Sequence, residues 1–202
     1  METLPDSFVS EAELRMAHQF QEQGYVISRV ADERSFQQIQ ELIAETAADF
    51  LGSSFEDPET FLNQFHQHID VAELNSLRLH VIRQMNAQAW FRNSYFQLGK
   101  LALEMLVGNE LAMQLRINLS IQLPYDKSSL LPVHADVWSG DSPYEVVVWL
   151  PLVDCYRTKA MYLLPPSADE RLREEFGQWA GRSSEELFRR IENEVSWIEI
   201  KA

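Results

Sequence analysis

Residues 131–155 read LPVHADVWSGDSPYEVVVWLPLVDC, and the architecture of the second half turns on how they are read. On a β-strand, residues two apart share a face. A strand over Leu131–Trp138 therefore aims His134 and Asp136 at one point. It puts Leu131, Val133, Ala135 and Val137 on the opposite, apolar face. The polar turn Ser139–Pro143 follows. Then Glu145–Leu152 runs apolar on both faces, as a strand covered on both sides does. Two readings of His134 and Asp136 are open at this point. They are two ligands of a metal ion on a rigid strand, or a hydrogen-bonded pair on its wet face.

Upstream, Gln114–Leu123 alternates throughout. Leu115, Ile117, Leu119, Ile121 and Leu123 take one face; Gln114, Arg116, Asn118, Ser120 and Gln122 take the other. That period predicts a strand packed on helices by its apolar side. Lys159–Leu164 and Val195–Ile200 read as further strands, with Pro165-Pro166 closing the first.

The region before Ala112 reads as helical. The capping box Ser10-x-x-Glu13 opens a helix that stops at Gly24. Tyr25–Val30 reads as a short strand. Asp32 caps the next helix, and Asp57-Pro58 opens another with Pro at its first position. Asp70-x-x-Glu73 resembles a capping box. Tyr95, Leu98, Leu101, Ala102, Met105 and Leu106 mark one more helix face. Asp169–Trp179 and the stretch from Ser183-x-x-Glu186 to about Asn193 read as the last helices. No Pro-, Gly- or Ser-rich linker divides the chain, so residues 1–202 are expected to form a single domain. Residues 1–110 are its mainly helical part.

The formal net charge is −14, which argues against nucleic acid or an anionic membrane as partner. Cys155 is the single cysteine. With no apolar leader visible, it suggests a reducing cytoplasm and a small core side chain.

Residues 112–166 resemble the iron(II)/2-oxoglutarate oxygenases of the phytanoyl-CoA dioxygenase type. The HAD triplet between two strands, VVVWLPLVDC and KAMYLLPPS carry the likeness. Within that group the chain is most similar to the bacterial oxygenases of sporadic carbohydrate biosynthesis clusters. The resemblance implies an α+β fold: a double-stranded β-helix, or jelly roll, over residues 111–202 with an N-terminal helical layer on one sheet. It implies His134 and Asp136 as two of three ligands to Fe(II), with open positions for 2-oxoglutarate and oxygen. QLRIN resembles a segment of ectoine hydroxylases, which implies that Gln114 and Asn118 face 2-oxoglutarate. Trp138 is the candidate substrate contact. The expected substrate is a small molecule, a sugar or sugar nucleotide, and the expected reaction its hydroxylation or oxidation.

The chain departs from that pattern in one respect. Its histidines are His18, His66, His68, His80 and His134, and none follows the HAD triplet. WIEIKA resembles the strand before the one that bears the family's distal His. The barrel is accordingly expected to lack its last strands, with the distal His and Arg absent. The alternative function is a jelly-roll binding module without turnover. A C-terminal strand left unpaired predicts a homodimer through Val195–Ile200.

Overall fold

A computed structural model describes residues 8–126, 132–179 and 181–201. Helices dominate it. In chain order the elements are α1 (Glu11–Gln23), α2 (Glu33–Leu51), α3 (Pro58–Asn63), α4 (Val71–Ala87), α5 (Phe91–Val107), β1 (Met161–Leu163), α6 (Pro166–Trp179), α7 (Ser184–Ile191) and β2 (Ser196–Ile198).

The helix boundaries follow local chemistry. Ser10 and Glu13 close a reciprocal capping box on α1, and Gly24 ends the helix in the left-handed region at φ 81°. A Cβ at Gly24 would stand 3.3 Å from Cδ of Pro166, so α1 ends against the first residue of α6. Asp32 and Asp57 cap α2 and α3 by accepting backbone N–H groups. Asp70 occupies the N-cap position of α4, but its side chain caps nothing. Ser183 and Glu186 form a second reciprocal box on α7.

The core lies among the first five helices. α2 packs on α3, α4 and α5, and α1 packs on α5 and α6. Ile39, Leu77, Val81, Met85 and Phe91 are completely enclosed there. α2 turns Ile39, Ile43, Ala44 and Ala47 inward, with Phe36 and Leu42 half-buried beside them.

The second half is not a jelly roll. Among the described residues the only sheet is a pair of three-residue strands, β1 and β2, antiparallel with Tyr162 opposite Trp197. Phe188 of α7 and Trp197 each bring a ring within 5.1 Å of Tyr162, and an isolated bridge joins Cys155 to Ile200. The strands expected over Lys159–Leu164 and Val195–Ile200 are thus present in shortened form and pair with each other. Those expected over Tyr25–Val30, Gln114–Leu123, Leu131–Trp138 and Glu145–Leu152 are absent as ladders. Leu131 lies outside the described residues, and Asp136–Ser139 is a 3-10 turn.

The reason is visible in what takes up their backbone groups. Asn86 of α4 meets Ile117 as a neighbouring strand would. Its Oδ1 accepts the Ile117 N–H at 2.8 Å, and its Nδ2 donates to the Ile117 carbonyl at 2.8 Å and to Ile82 at 2.7 Å. The Arg92 guanidinium donates to the carbonyls of Met113 and Gln114. The Tyr95 hydroxyl donates to Val148 at 2.7 Å, and Asn63 Oδ1 accepts the Asp154 N–H at 2.9 Å. Helix side chains, not strands, hold the extended runs.

The face prediction survives without the ladder. Ile117 and Leu123 are buried, Leu119 and Ile121 pack against the same core, and Asn118 and Ser120 are exposed. The apolar cover stops short at Leu115, which is 83% exposed. Glu145–Leu152 is only partly covered on both sides. Val146 and Val148 are half-buried, while Val147 is 64% exposed.

Two outcomes are expected. Asn86→Ala leaves two buried Ile117 backbone groups unpaired and lowers stability by about 2–4 kcal/mol, read from a urea unfolding midpoint. Burial pushes the Tyr95 phenol up to about 12. The unfolded chain releases that proton near its ordinary value of about 10. The stability held below that value is therefore lost as pH rises towards the folded-state value, on the order of 2–3 kcal/mol in total. Tyr95→Phe removes that part of the alkaline slope in unfolding measurements between those two pH values.

Candidate metal half-site

His134 and Asp136 lie on an irregular stretch that keeps the alternation of a strand. Val133 and Ala135 are half-buried, and His134 and Asp136 point to solvent. The following turn fixes the carboxylate. Asp136 begins a single 3-10 turn, held by Trp138 N–H donating to Ala135 at 2.8 Å and closed by Gly140 at φ 97°.

The imidazole is oriented by its own backbone. His134 Nδ1 stands 2.7 Å from the Pro132 carbonyl, an acceptor with no proton to give. Nδ1 therefore carries the hydrogen, and the lone pair of the neutral ring sits on Nε2. That nitrogen is 3.6 Å from Asp136 Oδ1. The two side chains are 55% and 47% exposed, so as an ion pair they contribute little.

As metal donors the same two atoms fit well. A carbonyl on the remote nitrogen is the usual support of a ligating imidazole. Nε2 and Oδ1 are close enough that one cation would take both as ligands. Imidazole nitrogen and carboxylate oxygen are also the donor types of the iron facial triad. The pair makes only half of such a site. Among the described residues no three His, Cys, Asp or Glu side chains cluster to hold a metal.

The other candidates stand apart from this pair. Gln114 is exposed, with its carbonyl taken by Arg92. Asn118 is exposed beside buried Ile117. Neither side chain hydrogen-bonds to His134 or Asp136. Trp138 is 60% exposed next to Val137 at 48%, an open apolar step beside the pair. His66 lies in the 3-10 turn Phe65–Gln67, and the His68 ring tilts on Phe61 at 5.3 Å. Cys155 is buried as expected, and burial pushes its thiol up. A cavity of about 360 Å³ beside α2 and α4 is lined by Thr46, Asp49, Phe50, His80 and Gln84, none of them a predicted site residue.

Sequence reasoning did not single out the side chains that hold the backbone of the irregular runs: Asn63, Asn86 and Arg92. Each is a polar side chain at the edge of an apolar helix face. That was the available signal. No helix among the described residues is long and apolar enough to cross a membrane.

Nitrogen NMR of the His134 ring is expected to find the Nδ1–H tautomer in its neutral form. A dominant Nε2–H tautomer would show that Pro132 does not orient the ring. Comparison with family models, with characterised proteins and with solved structures finds no match to this chain.

Proposed function

We propose that the chain oxidises a small molecule in an iron(II)- and 2-oxoglutarate-dependent reaction, with a sugar or sugar nucleotide as substrate. His134 and Asp136 are the protein's donors to the iron. The observation that carries this reading is the arrangement of the imidazole: Nδ1 held by Pro132, Nε2 turned towards a carboxylate 3.6 Å away. Bound iron supplies the oxygen chemistry, in which 2-oxoglutarate is converted to succinate and carbon dioxide as the substrate is oxidised. Gln114 and Asn118 are assigned to 2-oxoglutarate and Trp138 to the substrate. These assignments rest on the motif resemblance, and the platform is an irregular segment on a helical core.

A binding module without turnover is the second reading. The exposure of the pair and the lack of a third clustered donor among the described residues favour it.

Anaerobic iron(II) titration with and without 2-oxoglutarate tests both. The expected result is metal binding, a visible absorption band that needs 2-oxoglutarate, and loss of both in His134→Ala and in Asp136→Ala. Unchanged iron binding in both variants would refute the donor assignment. Iron binding without succinate formation in air would favour the binding module.

A further inference from the structure

The cavity of about 360 Å³ beside α2 and α4 holds chemistry that the iron(II) reading does not use. Thr46, Asp49 and Phe50 of α2 line it, with His80 and Gln84 of α4. Residues three and four apart on a helix share a face, so each helix brings its lining side chains to one side. The Phe50 and His80 rings meet at 5.4 Å between centroids and 45° between planes, an aromatic corner. Phe50 is left 40% exposed and His80 half-buried. Thr46 gives its hydroxyl hydrogen to the Leu42 carbonyl at 2.7 Å, so towards a ligand it can only accept. Gln84 offers an amide carbonyl and Asp49 a carboxylate.

Asp49 stands where local chemistry disfavours it. It lies in the last turn of α2, at the negative end of the helix dipole, and that turn has no basic residue. Glu45, four residues earlier on the same side of the helix, adds a like charge. Among the described residues no Lys, Arg or His forms an ion pair with the Asp49 carboxylate. A residue that breaks a local rule without compensation inside the fold marks a functional position.

We propose that this cavity binds a primary ammonium ligand with a short apolar body. Asp49 supplies the opposite charge that the helix end lacks. Three N–H groups of an ammonium match three acceptors, on Asp49, Thr46 and Gln84. The Phe50 and His80 rings cover the apolar body, and Phe50 adds a cation–π attraction. The volume lies at the low end of the range of about 300–1,000 Å³ for small-molecule sites, which suits a short alkyl chain or a single ring. Anions are turned away by Asp49 and by a net charge of −14, which draws cations. A bare divalent ion suits the cavity less. Among the described residues no three His, Cys, Asp or Glu side chains cluster to hold one, and it would make no use of the aromatic corner. The site shares no residue with the His134–Asp136 pair and stands whether or not that pair binds iron.

The test titrates the full chain with benzylammonium, and with benzyl alcohol and benzoate as neutral and anionic probes of the same shape. Calorimetry gives the affinities and amide NMR locates the site. Benzylammonium is expected to shift the signals of Thr46, Asp49, Phe50, His80 and Gln84, and to bind about tenfold or more tighter than either other probe. Added salt is expected to weaken it. Asp49→Asn is expected to lose about tenfold in affinity and yet to raise the urea midpoint, because it removes a charge opposed by the helix dipole and by Glu45. Phe50→Leu keeps an apolar wall and is expected to weaken binding about threefold. Equal affinity for benzyl alcohol, shifts confined to other residues, or unchanged affinity in Asp49→Asn would overturn the proposal. The comparison of the three probes needs only the wild type, so it decides the matter even where a variant fails to fold.

Discussion

The second half of this chain depends on one side-chain amide. Asn86 presents a donor and an acceptor to the backbone of Ile117 in the spacing that a strand would present. It thereby anchors a thirty-one-residue return of the chain to the helix that the amide grows from. Without it, the apolar side of the 117–123 run would reach the core only with two buried backbone groups left unpaired. Hydrophobic burial alone does not select that arrangement, because Ile117, Leu119, Ile121 and Leu123 could be covered in several registers. The amide selects one. Arg92, Tyr95 and Asn63 repeat the device further along. A helical bundle thus takes the role that neighbouring strands play in a sheet.

The sequence disclosed the helices well and the strands poorly, for a physical reason. A helix satisfies its own backbone, so its caps and its apolar stripe suffice to place it; Ser10–Glu13, Gly24, Asp32 and Ser183–Glu186 all stand where local chemistry puts them. A strand satisfies its backbone through a partner, and alternation names a face but no partner. Gln114–Leu123 therefore buries its inward residues largely as expected, while the ladder inferred from it is absent. Asp70 shows the limit on the helical side. The pattern Asp-x-x-Glu is present, yet the carboxylate is not turned into the helix.

The candidate site divides along the same line. His134 and Asp136 come together because residues two apart in an extended stretch share a side, a local fact that needs no sheet. Their environment is nonlocal, and spacing gave no means to place it. Gln114 and Asn118 were grouped with the pair by likeness to another protein family. In the structure their own backbone neighbours are held by α4 and α5, with no hydrogen bond to the pair.

Cys155 gives the molecule a reporter of its own motions. The single thiol is 5% exposed, its sulfur donates to Val153, and its backbone bridges Ile200. Burial also pushes the thiol up, so a thiol reagent reacts slowly with it while the bridge is closed. The rate at which the native protein reacts therefore measures how often the C-terminal strand leaves its place. Local unfolding of that kind is usually the earliest to occur in a chain whose core lies elsewhere. Comparing that rate with global unfolding would show whether the terminal β1–β2 unit and the helical core melt as one body or as two.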